Sequence, residues 1–353
     1  MSDTRRALLS ALREGPVSGP RLADRLDVSR AAVWKQVEAL RDDGFGIESG
    51  PDGYVVTDVP EYGAAAVEYG LDAPYAVEYH DAVGSTNDRG RELAAEGASD
   101  VVVLADEQTG ARGRLSREYT APAGGVWTSV VLRPARPPAH VPLFTLATAV
   151  ATTRAAREAG VPAEIKWPND VLVPVDAGDD AGEGRTTNDD AGEGRTTNDD
   201  AGDVRTTDDD GDGYDAEFRK LAGVLTEMEG EADRVSWLVV GVGVNANVDA
   251  GALPAGATSL RESLGLDVDR RVFVQRLLEE FHALREDPEA VLPAWREYAA
   301  TLGRRVRVET PGGTVVGEAV DVRHPGALVV HTDDGETLVH AGDCEHLRSV
   351  GDE

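Results

Sequence analysis

The chain is 353 residues long and carries 65 Asp and Glu against 35 Lys and Arg, a formal net charge of −30. That balance argues against a generally basic nucleic-acid binder and against a polybasic membrane anchor, while 41% hydrophobic residues provide for packed cores in two or three domains. A single cysteine, Cys344, excludes an internal disulfide framework and a cysteine-rich zinc site.

Lysine is the scarcer cation: Lys35, Lys166 and Lys220 stand beside 32 arginines. Acidic excess with few lysines is the pattern expected of a halophile-like protein, whose surface carboxylates hold water while salt screens their repulsion. The N-terminus, MSDTRR, has no apolar signal-peptide core. The most apolar stretch, Phe144 to Ala151, is too short for a membrane span, so a cytoplasmic protein is expected.

Residues 1–58 read as three short helices and a hairpin. Leu8, Leu9 and Leu12 share one helical face, and Leu22, Ala23 and Leu26 share a second, begun by Gly19-Pro20. Ser29 can cap a third helix with Val33, Val37 and Leu40 at its period. Gly50-Pro51-Asp52-Gly53 then turns between two short strands. This is the pattern of a winged helix-turn-helix. Its third helix would read a major groove, with Arg30, Lys35 and Arg41 as candidate DNA contacts. The segment holds 8 basic and 10 acidic residues, so phosphate binding would be weak or work at high salt. Use of the same fold for protein contacts is the alternative.

Residues 59–75 read as a linker. Residues 76–302 mix β-branched runs, at 101–105, 126–132, 164–167, 221–227 and 237–244, with helical spacing at 87–96, 142–159 and 270–284. Within this block DAGEGRTTND occurs at 180–189 and 190–199, and DAGDVRTTDD follows at 200–209. The segment 176–217 has 16 acids and 3 arginines. With almost no large apolar residue it should be a disordered insertion, tolerated because closure cost grows slowly with length. Its carboxylates lack a calcium-loop spacing. Residues 303–353 alternate in four or five short strands between PGG, HPG and DDG turns, as in an SH3-like barrel.

Four segments of the middle block carry chemistry. GSTN (Gly84 to Asn87) opens a helix and offers donors and acceptors together, suited to a ligand with a carbonyl beside N–H groups; plain helix capping is the alternative. QTGARGR (Gln108 to Arg114), with Arg117 beyond, gathers arginines on a glycine-containing loop without Walker spacing, able to neutralise phosphates or to remain a solvated basic loop. KWPND (Lys166 to Asp170) places a lysine before a turn, where its charge can stabilise a reacting α-phosphate or simply mark a strand edge. GVGVNAN (Gly241 to Asn247) runs a buried strand into a polar end, and KLAG supplies Lys220.

Taken in order, GSTN, QTxxRGR, KWPND, KLAG and GxGxN resemble the bifunctional biotin protein ligase and biotin operon repressor family, over nearly the whole chain apart from residues 176–217. The resemblance implies an α+β architecture: a winged helix-turn-helix, a central mixed-sheet, class II synthetase-like ligase domain and a C-terminal SH3-like β-barrel. It implies formation of biotinyl-5′-AMP from biotin and ATP with Mg2+, then transfer to one lysine of a biotin carboxyl carrier protein. It also implies regulation of biotin genes at a DNA operator and a homodimer. By resemblance Ser85, Thr86, Asn87, Gln108, Arg112, Gly113, Arg114 and Lys166 hold biotin. Arg112, Arg114, Arg117, Asn169 and Asn245 serve ATP or the adenylate, and Lys166 and Arg114 are the catalytic groups. Ala111 departs from the family's usual Gly and Tyr119 from its common Trp. A regulator that uses the adenylate only as a signal, and a related ligase for lipoate or octanoate, are the competing readings; the GSTN and RGR pair favours biotin.

Overall fold

A computed structural model describes residues 3–113, 119–175 and 217–347. Residues 176–216, which contain the acidic repeat, and the arginines Arg114 and Arg117 lie outside the described residues.

At the N-terminus, α1 (Asp3–Arg13), α2 (Gly19–Leu26) and α3 (Arg30–Asp42) pack around Leu8, Leu12, Leu22, Val33, Val37 and Leu40. Pro20 sits in the first turn of α2, where its missing N–H costs nothing. The Ser29 hydroxyl accepts from Ala32 N and starts α3. Strands β1 (Gly46–Gly50) and β2 (Gly53–Asp58) form the antiparallel wing. The three expected helices and the hairpin are all present.

The segment read as a linker is more ordered than that reading allowed. It contains α4 (Ala64–Glu68), all but its first residue buried. Ala65 joins the N-terminal core and Val67 the central one. A five-residue helix is too short to show a period, and for that reason the sequence did not betray it.

The central domain is a seven-stranded mixed sheet in the order β3-β4-β5-β9-β8-β7-β6. Its strands are β3 (Ala76–Val83), β4 (Val101–Gln108), β5 (Val126–Leu132), β6 (Glu164–Lys166), β7 (Asp170–Pro174), β8 (Phe218–Gly230) and β9 (Val235–Val244). Only β3 and β4 run parallel; the other pairs are antiparallel. The helices α6 (Val141–Glu158), α8 (Arg270–Glu286) and α9 (Val291–Glu297) share the main core with Leu104, Val130, Val240 and Val242 on one face of the sheet. The opposite face carries α5 (Thr86–Ala95), whose Leu93 and Ala94 pack on Val103, Val131 and Val239. The short helix α7 (Leu260–Leu264) follows β9.

The C-terminal module is a five-stranded antiparallel, SH3-like sheet in the order β13-β12-β11-β10-β14. It comprises β10 (Arg305–Thr310), β11 (Gly313–Arg323), β12 (Ala327–Thr332), β13 (Gly335–Val339) and β14 (Asp343–His346). Its Val306, Val308, Leu328 and Val330 are continuous with the main core. Among the described residues no helix is long and apolar enough to cross a membrane.

Candidate functional site

Opposed residues in antiparallel strands share a face. Register therefore aligns Trp127, Gly243, Gly223, Asp170 and Lys166 across β5, β9, β8, β7 and β6. The next row on that face is Ser129, Gly241 and Leu225. Three of these positions are glycines, so between α5 at one side and the lysine-bearing strands at the other the floor of the sheet is backbone, and side chains from neighbouring elements lie against it. A methyl group at Gly241 would lie 2.1 Å from Asn87 Oδ1, and one at Gly243 would lie 3.1 Å from the Tyr119 ring. The result is a strip of backbone floor, here called the slot, overlain by the Asn87 carboxamide and the Tyr119 ring.

At the α5 end the backbone builds the wall. Thr109 N and Gly110 N donate to Val83 O and Gly84 O at 2.9 and 2.8 Å, drawing the QTG segment beside GSTN. Ser85 caps α5, its hydroxyl accepting from Asp88 N. Gln108 Oε1 accepts from Thr86 N (2.8 Å) and the Thr86 hydroxyl (3.1 Å). Ser129 Oγ lies 2.8 Å from Thr86 Oγ1 and donates to Asn87 Oδ1 at 2.7 Å. Ser85, Thr86 and Asn87 are all buried. Three expected site residues, Thr86, Asn87 and Gln108, thus form one hydrogen-bonded cluster with Ser129, beside the capping Ser85.

Asn87 departs from its expected part. Its Nδ2 donates to Glu227 (2.7 Å) and Leu225 O (3.3 Å), while its Oδ1 is taken by Ser129. Both ends of the carboxamide are engaged by protein, so Asn87 fastens α5 to the sheet. Arg112 pairs with Asp88, which Arg91 also engages, and Arg91 reaches Glu227 at 3.3 Å. Gly113 ends the described part of this loop. Tyr119, at the position of the expected tryptophan, packs edge-on to Trp127 at 5.9 Å, with its hydroxyl donating to Gly243 O at 3.4 Å.

The other end is the β6–β7 hairpin. Lys166 closes β6 and is buried, 8% exposed. The turn is anchored by Asn169, whose Nδ2 donates to Val224 O at 3.0 Å and whose carbonyl accepts from Val224 N at 2.9 Å. Lys220 Nζ pairs with Asp170 at 2.8 Å and lies over Gly223 on the slot face, where a Cβ would meet its Cε at 3.3 Å. Asn245 follows β9 and is buried; its Nδ2 donates to Thr258 O and its carbonyl accepts from Leu260 N.

Beside this hairpin lies β14 of the C-terminal module. Burial pushes His346 down to about 3, helped by the charges of Lys166 and Arg304. Burial pushes the Cys344 thiol up to about 12 against the pull of Lys166. Both groups are therefore neutral near pH 7. Among the described residues no three His, Cys, Asp or Glu side chains gather as a metal site.

The proposed DNA contacts separate. Arg30 and Lys35 are exposed on α3. Arg41 instead donates to Ile47 O (2.6 Å) and Ser49 (3.0 Å) and pairs with Glu38, so its charge holds the wing to α3 and does not face outward. Sequence reasoning also passed over Ser129, Glu227 and the Lys220–Asp170 pair. The alternation of Gly241 and Gly243 was a signal for the slot, since glycines two apart in a strand lie on one face.

Comparison with known proteins follows this layout. The model of an HTH domain matches residues 4–55, that of the biotin/lipoate A/B protein ligase family matches 81–245, and that of the biotin protein ligase C-terminal domain matches 301–347. The chain is 31% identical over 348 residues to the bifunctional ligase/repressor BirA of Bacillus subtilis, covering 93% of each. It is 31% identical to a biotin–[acetyl-CoA-carboxylase] ligase of Mycobacterium tuberculosis, over 76% of this chain and 89% of that one. A biotin protein ligase structure from Aquifex aeolicus, in complex with biotin and ATP, superposes with a TM-score of 0.55 at 23% identity. That match covers 77% of this chain and 99% of that one, and it is a likeness of fold.

Proposed function

The chain belongs to the biotin protein ligase family, and from that premise we propose that it is an ATP-dependent biotin ligase that also binds DNA through its N-terminal domain. The observation that carries the ligase reading is the glycine-floored slot, with a neutral hydrogen-bonding end at Thr86, Gln108 and Ser129 and two lysines toward the other. A ligand with a ureido group, an apolar middle and a carboxylate matches that order of chemistry.

In the first step the biotin carboxylate attacks the α-phosphate of ATP and expels pyrophosphate, leaving biotinyl-5′-AMP. Two anions must meet, and cations fixed in place lower that barrier without reorganising. Lys166, with Lys220 held by Asp170, supplies such charge; Arg112, Arg114 and Arg117 serve the adenylate from the loop. Asn169 and Asn245 stand near the nucleotide, Asn245 chiefly by shaping the end of β9. In the second step a lysine amine of a biotin carboxyl carrier protein attacks the acyl carbon and AMP leaves. A mixed anhydride is reactive enough to need no protein nucleophile. Mg2+ fits a site of this kind as an ion carried on the ATP phosphates with one or two protein oxygens. Asn169 and Asp170, the latter shared with Lys220, would be the oxygen donors on the hairpin, and the ion would offset phosphate charge.

Pyrophosphate release should follow biotin addition and not lipoate addition. Release with lipoate alone would overturn the substrate assignment. For the DNA reading, Arg30 and Lys35 remain the outward-facing cations. A duplex from a biotin-gene promoter should shift on a gel in a biotin- and ATP-dependent way; no shift at any salt would remove that half of the proposal. We infer a homodimer built on the central sheet, of which β3 is one edge.

A further inference from the structure

The hairpin that carries Lys166 is held by the last residues of the ligase domain and by the C-terminal module. Segment 298–301, which leads into the C-terminal module, is stitched along β6: Ile165 N donates to Tyr298 O at 2.7 Å and Ala300 N to Ile165 O at 2.9 Å. Beyond that ladder Trp167 N donates to Thr301 Oγ1 at 2.9 Å. Thr301 Oγ1 lies in turn 3.1 Å from His346 Nε2, on β14. On its other side Trp167 donates its indole N–H to Gly326 O, in the β11–β12 turn, at 3.0 Å. Thr301 is fully buried, Trp167 is 1% exposed and His346 8%. The His346 ring also packs edge-on to Phe218 at 6.2 Å. Phe218 lies two residues before Lys220 on β8.

One histidine of the C-terminal module therefore touches segments next to both lysines. It reaches Lys166 through Thr301 and the Trp167 amide, and it packs on Phe218 of β8, the strand that carries Lys220. None of these contacts extends to the Ser85–Thr86–Gln108 cluster, which is built from β3, β4, β5 and α5.

We propose that Thr301 and His346 are positioning residues for the reacting end of the slot, setting Lys166 and Lys220 against the α-phosphate while leaving the hydrogen-bonding end at Thr86 and Gln108 untouched. This rests on the ligase reading given above. A core histidine that served stability alone would act on both ends of the slot equally. A positioning residue acts on one.

The relay is tested in the full-length protein with Thr301→Val, which keeps the volume and removes the acceptor from Trp167 N, with Thr301→Ser as the conservative rescue and with His346→Ala. Biotinyl-5′-AMP formation is followed by pyrophosphate release at varied ATP, and biotin binding without nucleotide by calorimetry. Losing the acceptor of a buried N–H should raise the KM for ATP or lower kcat by about tenfold. The biotin Kd should change much less than the ATP constants, because the Thr86–Gln108 end is unaltered, and Thr301→Ser should restore the wild-type constants. His346→Ala should shift the ATP constants in the same direction. Wild-type ATP constants in Thr301→Val, or a biotin Kd that weakens in parallel, would overturn the proposal. So would a Thr301→Ser variant as impaired as the valine. A wild-type protein that releases no pyrophosphate with biotin would instead overturn the ligase reading itself, so the two failures are distinct.

Discussion

Gly241 lies directly beneath the carboxamide of Asn87, so close that an added methyl group would stand 2.1 Å from Oδ1. Since Asn87 is pinned by Ser129, Leu225 and Glu227, it has nowhere to retreat. Gly241→Ala must push the first turn of α5 off the sheet, at a cost of about 1–3 kcal/mol for overpacking. The biotin Kd measured by calorimetry should weaken by about tenfold or more. A variant that binds biotin like the wild type would show that the slot does not receive it.

Lys166→Ala removes one charge from the nucleotide end. Loss of a preorganised electrostatic group costs about 10²–10³ in kcat, so biotinyl-5′-AMP formation should fall by that factor, and by more than biotin binding weakens. The check is ATP-dependent labelling of a carrier domain; unchanged labelling would transfer the catalytic assignment to Lys220.

Much of the fold was legible in the residues. The periods of α1, α3 and α8 announced themselves because each buries one regular face, and the apolar stretches of α6, β4, β5 and β9 because they are buried on nearly every side. Strand β3 did not, for its AVEYHDAV carries Glu78, His80 and Asp81 on an edge where half-exposed polar side chains are tolerated. The site was legible as motifs and illegible as a network. Glu227 meets Asn87 across 140 residues of chain and Ser129 meets it across 42, separations at which only register decides contact. Arg41 shows the converse: its position on α3 suited a groove contact, and its partner Ile47 O became evident only when the wing folded back.

Arg30 and Arg41 should accordingly separate in DNA binding. Arg30→Ala should reduce the salt slope of binding by about 1 and weaken affinity across sequences. Arg41→Ala should leave the slope alone and lower the melting temperature of the N-terminal domain. Equal slopes in the two variants would restore Arg41 as a phosphate contact.

Glu68 joins the two larger bodies. Its buried carboxylate accepts from Val77 N at 2.7 Å and from Arg6 of α1 at 3.2 Å. Glu68→Ala leaves a buried N–H without its acceptor, at about 1–3 kcal/mol. Thermal unfolding should then resolve an earlier transition for the N-terminal domain. An unchanged single transition would mean that the apolar contacts of Ala65 and Phe45–Tyr69 suffice to couple them.

His346 gives a pH dependence of definite sign. Folded, it stays neutral down to about 3, whereas the unfolded side chain protonates near 6.5. Between these values the unfolded state holds the extra proton, so stability falls as pH drops below 6.5. The slope from this group is about 1.4 kcal/mol per pH unit. Denaturant titrations of His346→Gln against the wild type should show a shallower acid-side loss in the variant. Parallel curves would place the imidazole in contact with water.

Val175 N donates to Glu217 O at 2.8 Å and continues the β7–β8 ladder to its rim. The 41 residues from 176 to 216 enter and leave through that single closed rung. Their length and composition are therefore free parameters of the sheet, and the rung is a natural docking port for foreign cargo: a reporter domain spliced between Val175 and Glu217 should ride on a ligase whose lysine-bearing strands keep their register.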